Sequence, residues 1–373
     1  MGAGQKICDA IKVSAEARGE GISSIPSCLI SLDISLPLPR LKPSVIALCR
    51  DVFRKWSHFD DSRFAVETVS GGITNLLLKV SVKEDNGNDA FITVRLYGPN
   101  TEYVIDRKRE LQALPYLSAA GFGAQLLGVF ENGMVQSFID ARTLSPTDMT
   151  KPKLAAEIAR QLHKFHQIAI PGFKEPQLWN DIFKLVDRAS TLQFDDKEKQ
   201  TKYDRISFQE VSDAVKELKM REPSLTQEPP SSYSTSDITD VLHAPVVYAH
   251  NDLLSGNIMR NDDEEKLYFI DFEYGSYSYR GYDIGNHFNE YAGLDCDYNL
   301  YPNKDAQYHF FRNYLQPDNP QEEKAKMIAP VVGIAKMSPI DFDYLDYFFL
   351  RYNEYKKQKD MCFLLAQKYI SGS

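Results

Sequence analysis

Between residues 43 and 145 the spacing of the hydrophobic residues switches between that of a helix and that of a strand. Residues 43–56 (PSVIALCRDVFRKW) carry apolar side chains at helical spacing behind a proline, which predicts a helix. FAVETV, NLLLKVSV and AFITVRLYG predict three strands, and a glycine turn separates the first two. Residues 102–119 return to helical spacing, and two further strands flank Asn132-Gly133, a strong hairpin signal. The predicted order is therefore strand, strand, strand, helix, strand, strand.

Helical spacing dominates after residue 145 and is clearest in KLAAEIARQLHKFHQI. Residues 221–240 are polar and rich in Pro and Ser, which predicts a mobile insertion. The Gly-, Ser- and Pro-rich residues 1–40 predict a flexible leader that becomes ordered near SLDISLPLP, residues 31–39. A small β-rich lobe at 41–145, followed by a larger and mainly helical lobe at 146–373, resembles the protein-kinase-like layout. We therefore expect an α+β fold with two lobes.

Composition and charge exclude several classes of protein. The chain has 373 residues, of which 43% are hydrophobic and 25% charged, as is typical of a globular protein with a large core. Its net charge of −9 argues against a broad nucleic-acid surface. No run approaches the ~18 apolar residues of a membrane span. Five scattered cysteines without a CxxC pair predict reduced thiols, so we expect a cytoplasmic protein without a disulfide framework or zinc site.

Residues 248–259 (YAHNDLLSGNIM) place His250, Asp252 and Asn257 directly after an apolar run. Asp271 follows a second apolar run, KLYFI, 19 positions after Asp252. By itself, the first stretch is equally compatible with a polar turn. Together the two stretches favour phosphoryl transfer, which needs a carboxylate near the attacking hydroxyl and oxygen ligands for Mg²⁺. Asp252 is then the candidate base, and Asn257 and Asp271 are the candidate metal ligands.

A cation, Arg95, lies in the apolar strand TVRLYG. Burying an unpaired charge costs several kcal/mol, so we expect a partner, and Glu110 on the following helix is the candidate. The alternative is a surface arginine and an unrelated surface glutamate. A strand cation paired with a helix carboxylate positions nucleotide phosphates in kinases. The glycine turn at 70–74 (SGGIT) is suited to backbone contacts with phosphates, although Gly-Gly hairpin turns are common.

Histidines elsewhere have no spacing that predicts a metal site. His163 and His166 share a predicted helix but have no third ligand, so we expect them on the helix surface or in the core. His287 and Glu290 likewise do not predict a zinc site.

Three stretches together resemble the choline/ethanolamine kinase family: HNDLLSGNIM, IDFEYGSYSYRGYDIGNHFNEYAG, and GGITNLLLKV with VRLYGPNTEYVIDRKRE. The resemblance covers about residues 43–357. It implies transfer of the γ-phosphoryl group of ATP to a small amino alcohol, with Mg²⁺ as the cofactor. It also implies that Asp252 is the base, that Asn257 and Asp271 are metal ligands, and that Asp283 braces the catalytic loop. It places Gly71, Gly72, Asn75, Arg95, Glu110, Gln136, Phe138 and Ile139 at the nucleotide, and Tyr274, Asn286, Glu290, Phe342 and Tyr347 at the amino alcohol.

Several short segments and one residue resemble the ethanolamine branch of the family. They are GITN in the glycine turn, TEYVIDR before the helix, NHFNEYAG, DYNLYP, and Leu254 two positions after Asp252. The resemblance therefore implies formation of phosphoethanolamine, the first step of the CDP-ethanolamine route to phosphatidylethanolamine. Choline remains the alternative acceptor. The expected partner is a small-molecule substrate, without nucleic acid or stable membrane insertion, and a homodimer stays open.

One segment departs from the family pattern. Family members carry two tryptophans on a C-terminal helix that lines the amine pocket, whereas the matching turn here, Met327–Pro330, has no aromatic residue. The only tryptophans are Trp56 and Trp179. We expect ATP and Mg²⁺ binding to survive and affinity for the amino alcohol to be weakened. A kinase for another amine and a catalytically weak binding protein are the competing interpretations. A protein kinase is disfavoured because no Ala-Pro-Glu segment follows Asp271.

Overall fold

A computed structural model describes residues 25–69, 75–99, 101–226, 246–315, 349 and 351–359. The chain divides into two compact units, residues 1–141 and 142–373. The second unit thus begins at Arg142, where the sequence pattern predicted residue 146. No helix within the described ranges is long and apolar enough to cross a membrane.

The first unit contains a five-stranded antiparallel sheet with the strand order β1-β2-β3-β5-β4. The predicted succession of three strands, a helix and two strands is confirmed. The strands are β1 (Phe64–Val69), β2 (Asn75–Lys83), β3 (Asp89–Tyr97), β4 (Leu126–Phe130) and β5 (Gly133–Ser137), and the helices are α1 (Leu38–Val52) and α2 (Arg107–Ala119).

Side chains along β2 and β3 alternate between the two faces of the sheet, and one face packs in the core of this unit. Leu78 and Val80 on β2, and Val94 on β3, are fully buried in one cluster with apolar residues of α1. Arg95 follows Val94 and pairs with Leu77 across the sheet. Because successive side chains of a strand point to opposite faces, Arg95 lies on the face away from this core.

The two helices in the described part of this unit begin elsewhere than the sequence pattern predicted. Helix α1 begins at Leu38, before residue 43, because Pro39 suits the first helical turn with its fixed φ. Helix α2 begins at Arg107, after residue 102. Asp106 caps it by accepting a hydrogen bond from the Arg109 N–H at 3.2 Å. Thr101–Tyr103 form a separate 3-10 turn.

The predicted hairpin between β4 and β5 is confirmed, but its loop is Glu131 and Asn132, with Gly133 already in the strand. A Cβ atom on Gly133 would lie 2.2 Å from the Arg95 carbonyl oxygen and 2.3 Å from Phe130 Cζ. The glycine is therefore needed for close packing against β3.

The predicted flexible leader is corrected over the part that the structure describes. Val129 on β4 donates to the Pro26 carbonyl at 2.9 Å and accepts from the Cys28 N–H at 3.0 Å. Glu131 N–H donates to the Ile30 carbonyl at 3.1 Å. Strand β4 lies at the edge of the sheet, where its backbone groups need partners, and residues 26–32 supply them.

Asn132 holds the end of this segment through both of its side-chain groups. Its Oδ1 accepts from the Leu32 N–H at 2.9 Å, and its Nδ2 donates to the Leu32 carbonyl at 2.7 Å.

We expect Asn132→Ala to lower the free energy of unfolding by about 1–3 kcal/mol, because Leu32 loses two partners. Urea denaturation measures the loss. Asn86→Ala, at an exposed turn where Asn86 bonds one amide, is the matched control and should cost less. Equal losses would contradict the role of Asn132.

The second unit is mainly helical and contains two small antiparallel sheets, β10-β7 and β6-β8-β9. The strands are β6 (Arg142–Thr143), β7 (Val246–Ala249), β8 (Ile258–Asn261), β9 (Lys266–Phe269) and β10 (Ser276–Tyr279). The helices are α3 (Pro146–Met149), α4 (Pro152–His166), α5 (Leu178–Ala189), α6 (Lys197–Tyr203), α7 (Phe208–Thr226), α8 (Arg280–Asn289) and α9 (Lys304–Leu315), and residues 351–359 are also helical.

Helix α7 corrects the start of the predicted insertion. Residues 221–226, which include Pro223, continue the helix. The remainder of the predicted insertion, residues 227–240, lies outside the described residues.

Candidate active site

The predicted pairing of Arg95 with Glu110 is confirmed. Arg95 Nη1 lies 3.0 Å from Glu110 Oε1, and both side chains are buried. A second arginine, Arg107, donates to the other carboxylate oxygen, Oε2, at 2.8 Å. Glu110 is therefore fixed by both of its oxygens, and it holds Arg95 on the face of the sheet opposite the core.

Arg107 was missed by sequence reasoning. Its Nη2 lies 3.2 Å from Asn75 Oδ1 and 3.2 Å from Thr101 Oγ1, and its guanidinium carbon lies 4.1 Å from the centre of the Tyr97 ring. Asn75, predicted near the phosphates, is the first residue of β2. The guanidinium of Arg107 thus bridges Asn75, at the start of β2, and Glu110 on α2. A usable signal existed, because side chains three positions apart on a helix are neighbours.

The segment 136–139, predicted to lie at the nucleotide, leaves the sheet at the end of β5. Gln136 pairs with Thr93, and the Phe138 N–H donates to the Phe91 carbonyl at 3.4 Å. The Lys79 amine lies 4.4 Å from the centre of the Phe138 ring. Gln136, Phe138 and Ile139 are half-buried, and their role at the nucleotide stays a prediction.

Strand register brings the two predicted metal ligands to the same end of the β8-β9 pair. Ile258 is paired with Phe269, and the Ile270 N–H donates to the Asn257 carbonyl at 3.0 Å. Asn257, just before β8, and Asp271, just after β9, therefore lie at the same end of this pair of strands. Asn257 Nδ2 also donates to the Asp252 carbonyl at 2.9 Å and to Asp252 Oδ2 at 3.2 Å.

The donor chemistry of these two side chains fits Mg²⁺. Because Asn257 directs Nδ2 to Asp252, its amide offers Oδ1 to a further partner, and Asp271 offers a carboxylate. Mg²⁺ prefers oxygen ligands and is commonly bound by one or two protein groups plus substrate phosphates. Within the described ranges, no group of three or more His, Cys, Asp or Glu side chains could hold a metal ion by itself. Mg²⁺ held by Asn257 and Asp271 would take its other ligands from substrate phosphates and water.

Two residues of these loops have left-handed backbone conformations that are uncommon outside glycine. Asn251 has φ 61° and Asp271 has φ 63°. Such conformations cost roughly 1–3 kcal/mol and cluster at active sites. Asn251 is held by its Nδ2, which donates to the Tyr274 carbonyl at 3.0 Å and to Ser276 Oγ at 2.9 Å. Sequence reasoning missed this function of Asn251, for which the αL tolerance of asparagine was the available signal.

Asp283, predicted to brace the catalytic loop, accepts hydrogen bonds from two backbone amides just before Asp252. Its Oδ2 accepts from the His250 N–H at 2.9 Å, and its Oδ1 accepts from the Asn251 N–H at 2.7 Å. His166 Nε2 lies 2.9 Å from Oδ2. Burial acts to raise the pKa of Asp283, but the hydrogen bonds from His166 and from the His250 amide, with the nearby imidazoles, hold it below its ordinary value. The brace is therefore a carboxylate at neutral pH.

His166 continues this network into helix α9. The ring is buried, as one of the two expectations for it predicted, and its Nδ1 lies 2.7 Å from the Tyr314 hydroxyl. Because a carboxylate can only accept, Nε2 carries the hydrogen towards Asp283. The other ring nitrogen, Nδ1, faces the Tyr314 hydroxyl. Sequence reasoning missed this contact, since 117 positions separate His166 from Asp283.

The described residues predicted at the amino alcohol lie on or near helix α8. Asn286 and Glu290 are one turn apart and so share a side of the chain. Arg351 Nη2 lies 3.3 Å from Glu290 Oε1, which orients that carboxylate. Asn286 Nδ2 is buried and finds no hydrogen-bond partner in the described part of the chain. Tyr274 is half-buried and ends a 3-10 turn just after Asp271.

Several predicted positions lie outside the described residues. They are Gly71 and Gly72 in the glycine turn, Phe342 and Tyr347 at the amino alcohol, and the segment Met327–Pro330 where the family tryptophans are missing.

The family model described as "Choline/ethanolamine kinase" matches residues 66–336, which is well over half of the chain. The chain belongs to this family. A protein of Arabidopsis thaliana named "Probable ethanolamine kinase" is 56% identical over 379 residues, covering 96% of this chain and 97% of its own length. "Probable ethanolamine kinase A" of Dictyostelium discoideum is 35% identical over 321 residues, covering 80% of this chain and 87% of its own.

A solved structure of an ethanolamine kinase from Plasmodium vivax is similar to this chain with a TM-score of 0.67 and 28% sequence identity. The alignment covers 84% of this chain and 88% of that one. The predicted family and the predicted α+β, protein-kinase-like fold are therefore confirmed, and the chain is a kinase. The assignment of individual residues to nucleotide, metal and acceptor stays a prediction.

Proposed function

We propose that the chain phosphorylates ethanolamine, with ATP as the phosphoryl donor and Mg²⁺ as the cofactor, and releases phosphoethanolamine. The observation that carries the proposal is the arrangement around Asp252. Asn257 bonds both its carbonyl and its carboxylate, and Asp283 fixes the two preceding amides. The names of the Arabidopsis and Dictyostelium relatives point to the same acceptor.

Each part of the site has a distinct task in the proposed reaction. Asp252 accepts the proton of the attacking hydroxyl, which keeps that oxygen close to the phosphorus as the bond forms. Asn257 and Asp271 would hold Mg²⁺, which neutralises charge on the phosphates when bound. Arg95, fixed by Glu110, would contact the phosphates of the nucleotide, with Asn75 beside them.

The chemistry of the acceptor site favours a primary ammonium. Ethanolamine carries three N–H donors and is matched by carboxylate and amide oxygens, which Glu290 and Asn286 supply. Choline has no N–H donor and would depend mainly on aromatic faces, with roughly 0.5–2 kcal/mol for each cation–π contact. Choline is therefore the alternative acceptor, with the weaker support.

An assay of ATP consumption with ethanolamine, with choline and without acceptor tests the proposal. We expect acceptor-dependent turnover of roughly 1–100 s⁻¹ with ethanolamine, a lower kcat/KM with choline, and loss of both when Mg²⁺ is removed. Phosphorus NMR identifies the product as phosphoethanolamine. A higher kcat/KM for choline would contradict the choice of acceptor. ATP binding without turnover on either amine would favour the weakened amine pocket predicted from Met327–Pro330.

Two further features belong to the same proposal. The reaction would serve phospholipid synthesis through the CDP-ethanolamine route in the cytoplasm, as the family resemblance implies. Sedimentation of the purified chain measures whether it forms a homodimer.

A further inference from the structure

Helix α8 contacts the catalytic loop on both sides of Asp252. Asp283 accepts from the His250 and Asn251 amides before it. His287, one helical turn later, places Nδ1 at 2.8 Å from the Leu253 carbonyl oxygen after it. Side chains four positions apart lie on the same face of a helix, so one face of α8 supplies both contacts.

The chemistry of His287 shows which atom carries its hydrogen. A carbonyl oxygen only accepts, so Nδ1 must donate. Burial lowers the pKa of His287 to about 4, against a smaller opposing effect of the bond to Leu253. The ring is therefore neutral near pH 7, and Nε2 is an unprotonated acceptor.

The surroundings of His287 would suit an apolar side chain better. Its ring centre lies 5.3 Å from that of Tyr291 and 5.5 Å from that of Phe310. In the part of the chain that the structure describes, Nε2 is buried without a hydrogen-bond partner. A buried acceptor without a partner costs stability. Packing alone therefore does not explain a histidine here, whereas the bond to Leu253 does.

We propose that His287 is a positioning residue, which fixes the Leu253 carbonyl and so holds Asp252 between two anchors on one helix. Within the turn, Leu254 N–H donates to the Asp252 carbonyl at 2.9 Å, and Asn257 N–H donates to the Leu254 carbonyl at 3.0 Å; at its end, the Ile270 N–H donates to the Asn257 carbonyl at 3.0 Å. Loss of the anchor at Leu253 loosens this turn, so that the Asp252 carboxylate can shift. The inference rests on the proposed function, because it takes Asp252 as the base.

Two variants separate positioning from packing. His287→Leu removes the donor but fills the aromatic surroundings, whereas His287→Asn places an amide nitrogen at the Nδ1 position and leaves a cavity. We expect His287→Leu to lower kcat by about 10- to 100-fold with both KM values within about threefold, because a small displacement of the base slows the chemical step. His287→Asn should retain at least about fivefold more kcat than His287→Leu, in spite of a lower Tm.

His309→Leu is the matched control, because His309 Nε2 also contacts a main-chain carbonyl, that of Pro152 at 2.9 Å, on the exposed side of α9. Its kcat should equal that of the unchanged protein. The proposal is overturned if kcat follows the order of Tm in the two His287 variants. It is also overturned if His287→Leu keeps kcat within about threefold of the unchanged protein.

Hydrogen exchange distinguishes failure of this inference from failure of the proposed function. If the unchanged protein phosphorylates neither amine, the proposed function fails, but the exchange rates of the loop amides can still be measured. The Leu254 and Asn257 amides should then exchange faster in His287→Leu than in His287→Asn. Equal exchange in His287→Leu and the unchanged protein overturns the role of His287.

Discussion

Replacing Asp252 with asparagine is expected to lower kcat for ethanolamine phosphorylation by about 10²- to 10⁴-fold, the usual contribution of a positioned general base. The amide has the shape of the carboxylate, and its oxygen can still accept from Asn257 Nδ2, which lies 3.2 Å from Asp252 Oδ2. The loop should therefore keep its conformation while it loses the proton acceptor. The KM for ATP should stay close to its original value.

Initial rates of phosphoethanolamine formation measure the effect of Asp252→Asn, together with thermal unfolding of both proteins. Asp263→Asn is the matched control, because Asp263 is an exposed carboxylate in the turn between β8 and β9. It should leave kcat unchanged. Equal ATP consumption by Asp252→Asn and the unchanged protein would refute the role of Asp252 as the base.

The second large effect is expected for Asp283→Asn, which should lower the free energy of unfolding by about 3–5 kcal/mol. The fully buried carboxylate accepts from His166 Nε2 and from the His250 and Asn251 amides. An amide keeps one acceptor oxygen and turns an NH₂ group towards one of these donors, so at least one buried donor loses its partner. Activity should fall as well, since both amides before Asp252 lose their anchor.

Urea denaturation checks the stability loss in Asp283→Asn. Asp305→Asn, an exposed carboxylate in the first turn of α9, is the control and should change the unfolding free energy by less than about 0.5 kcal/mol. A loss below about 1 kcal/mol in Asp283→Asn would contradict a bracing carboxylate.

The same variant has a defined dependence on pH. The pKa of Asp283 is lowered in the folded protein, so the folded state holds its carboxyl unprotonated more readily than the unfolded chain does. Its contribution to stability is therefore complete above about pH 4, the ordinary carboxyl range, and is lost as the pH falls through the lower folded value. The stability difference between Asp283→Asn and the unchanged protein should therefore shrink as the buffer is made more acidic than about pH 4.

The sequence by itself determined the order of elements in the first unit and the pairing of Arg95 with Glu110, and it predicted the catalytic stretch from His250 to Asn257. These features are local. The period of apolar residues selects helix or strand, and a buried strand cation needs a carboxylate from the next element along the chain. Helix starts were less exact, because a capping residue such as Asp106 outweighs the hydrophobic period at a helix end.

Only the tertiary structure decided which distant side chains support that stretch. His166 reaches Asp283 across 117 positions, His287 reaches Leu253 across 34, and Asn132 reaches Leu32 across 100. None of these contacts has a sequence period, because each depends on how a helix packs against a loop or how a segment covers a sheet edge. Burial then sets the chemistry, since a buried carboxylate or imidazole needs partners that only packing can supply.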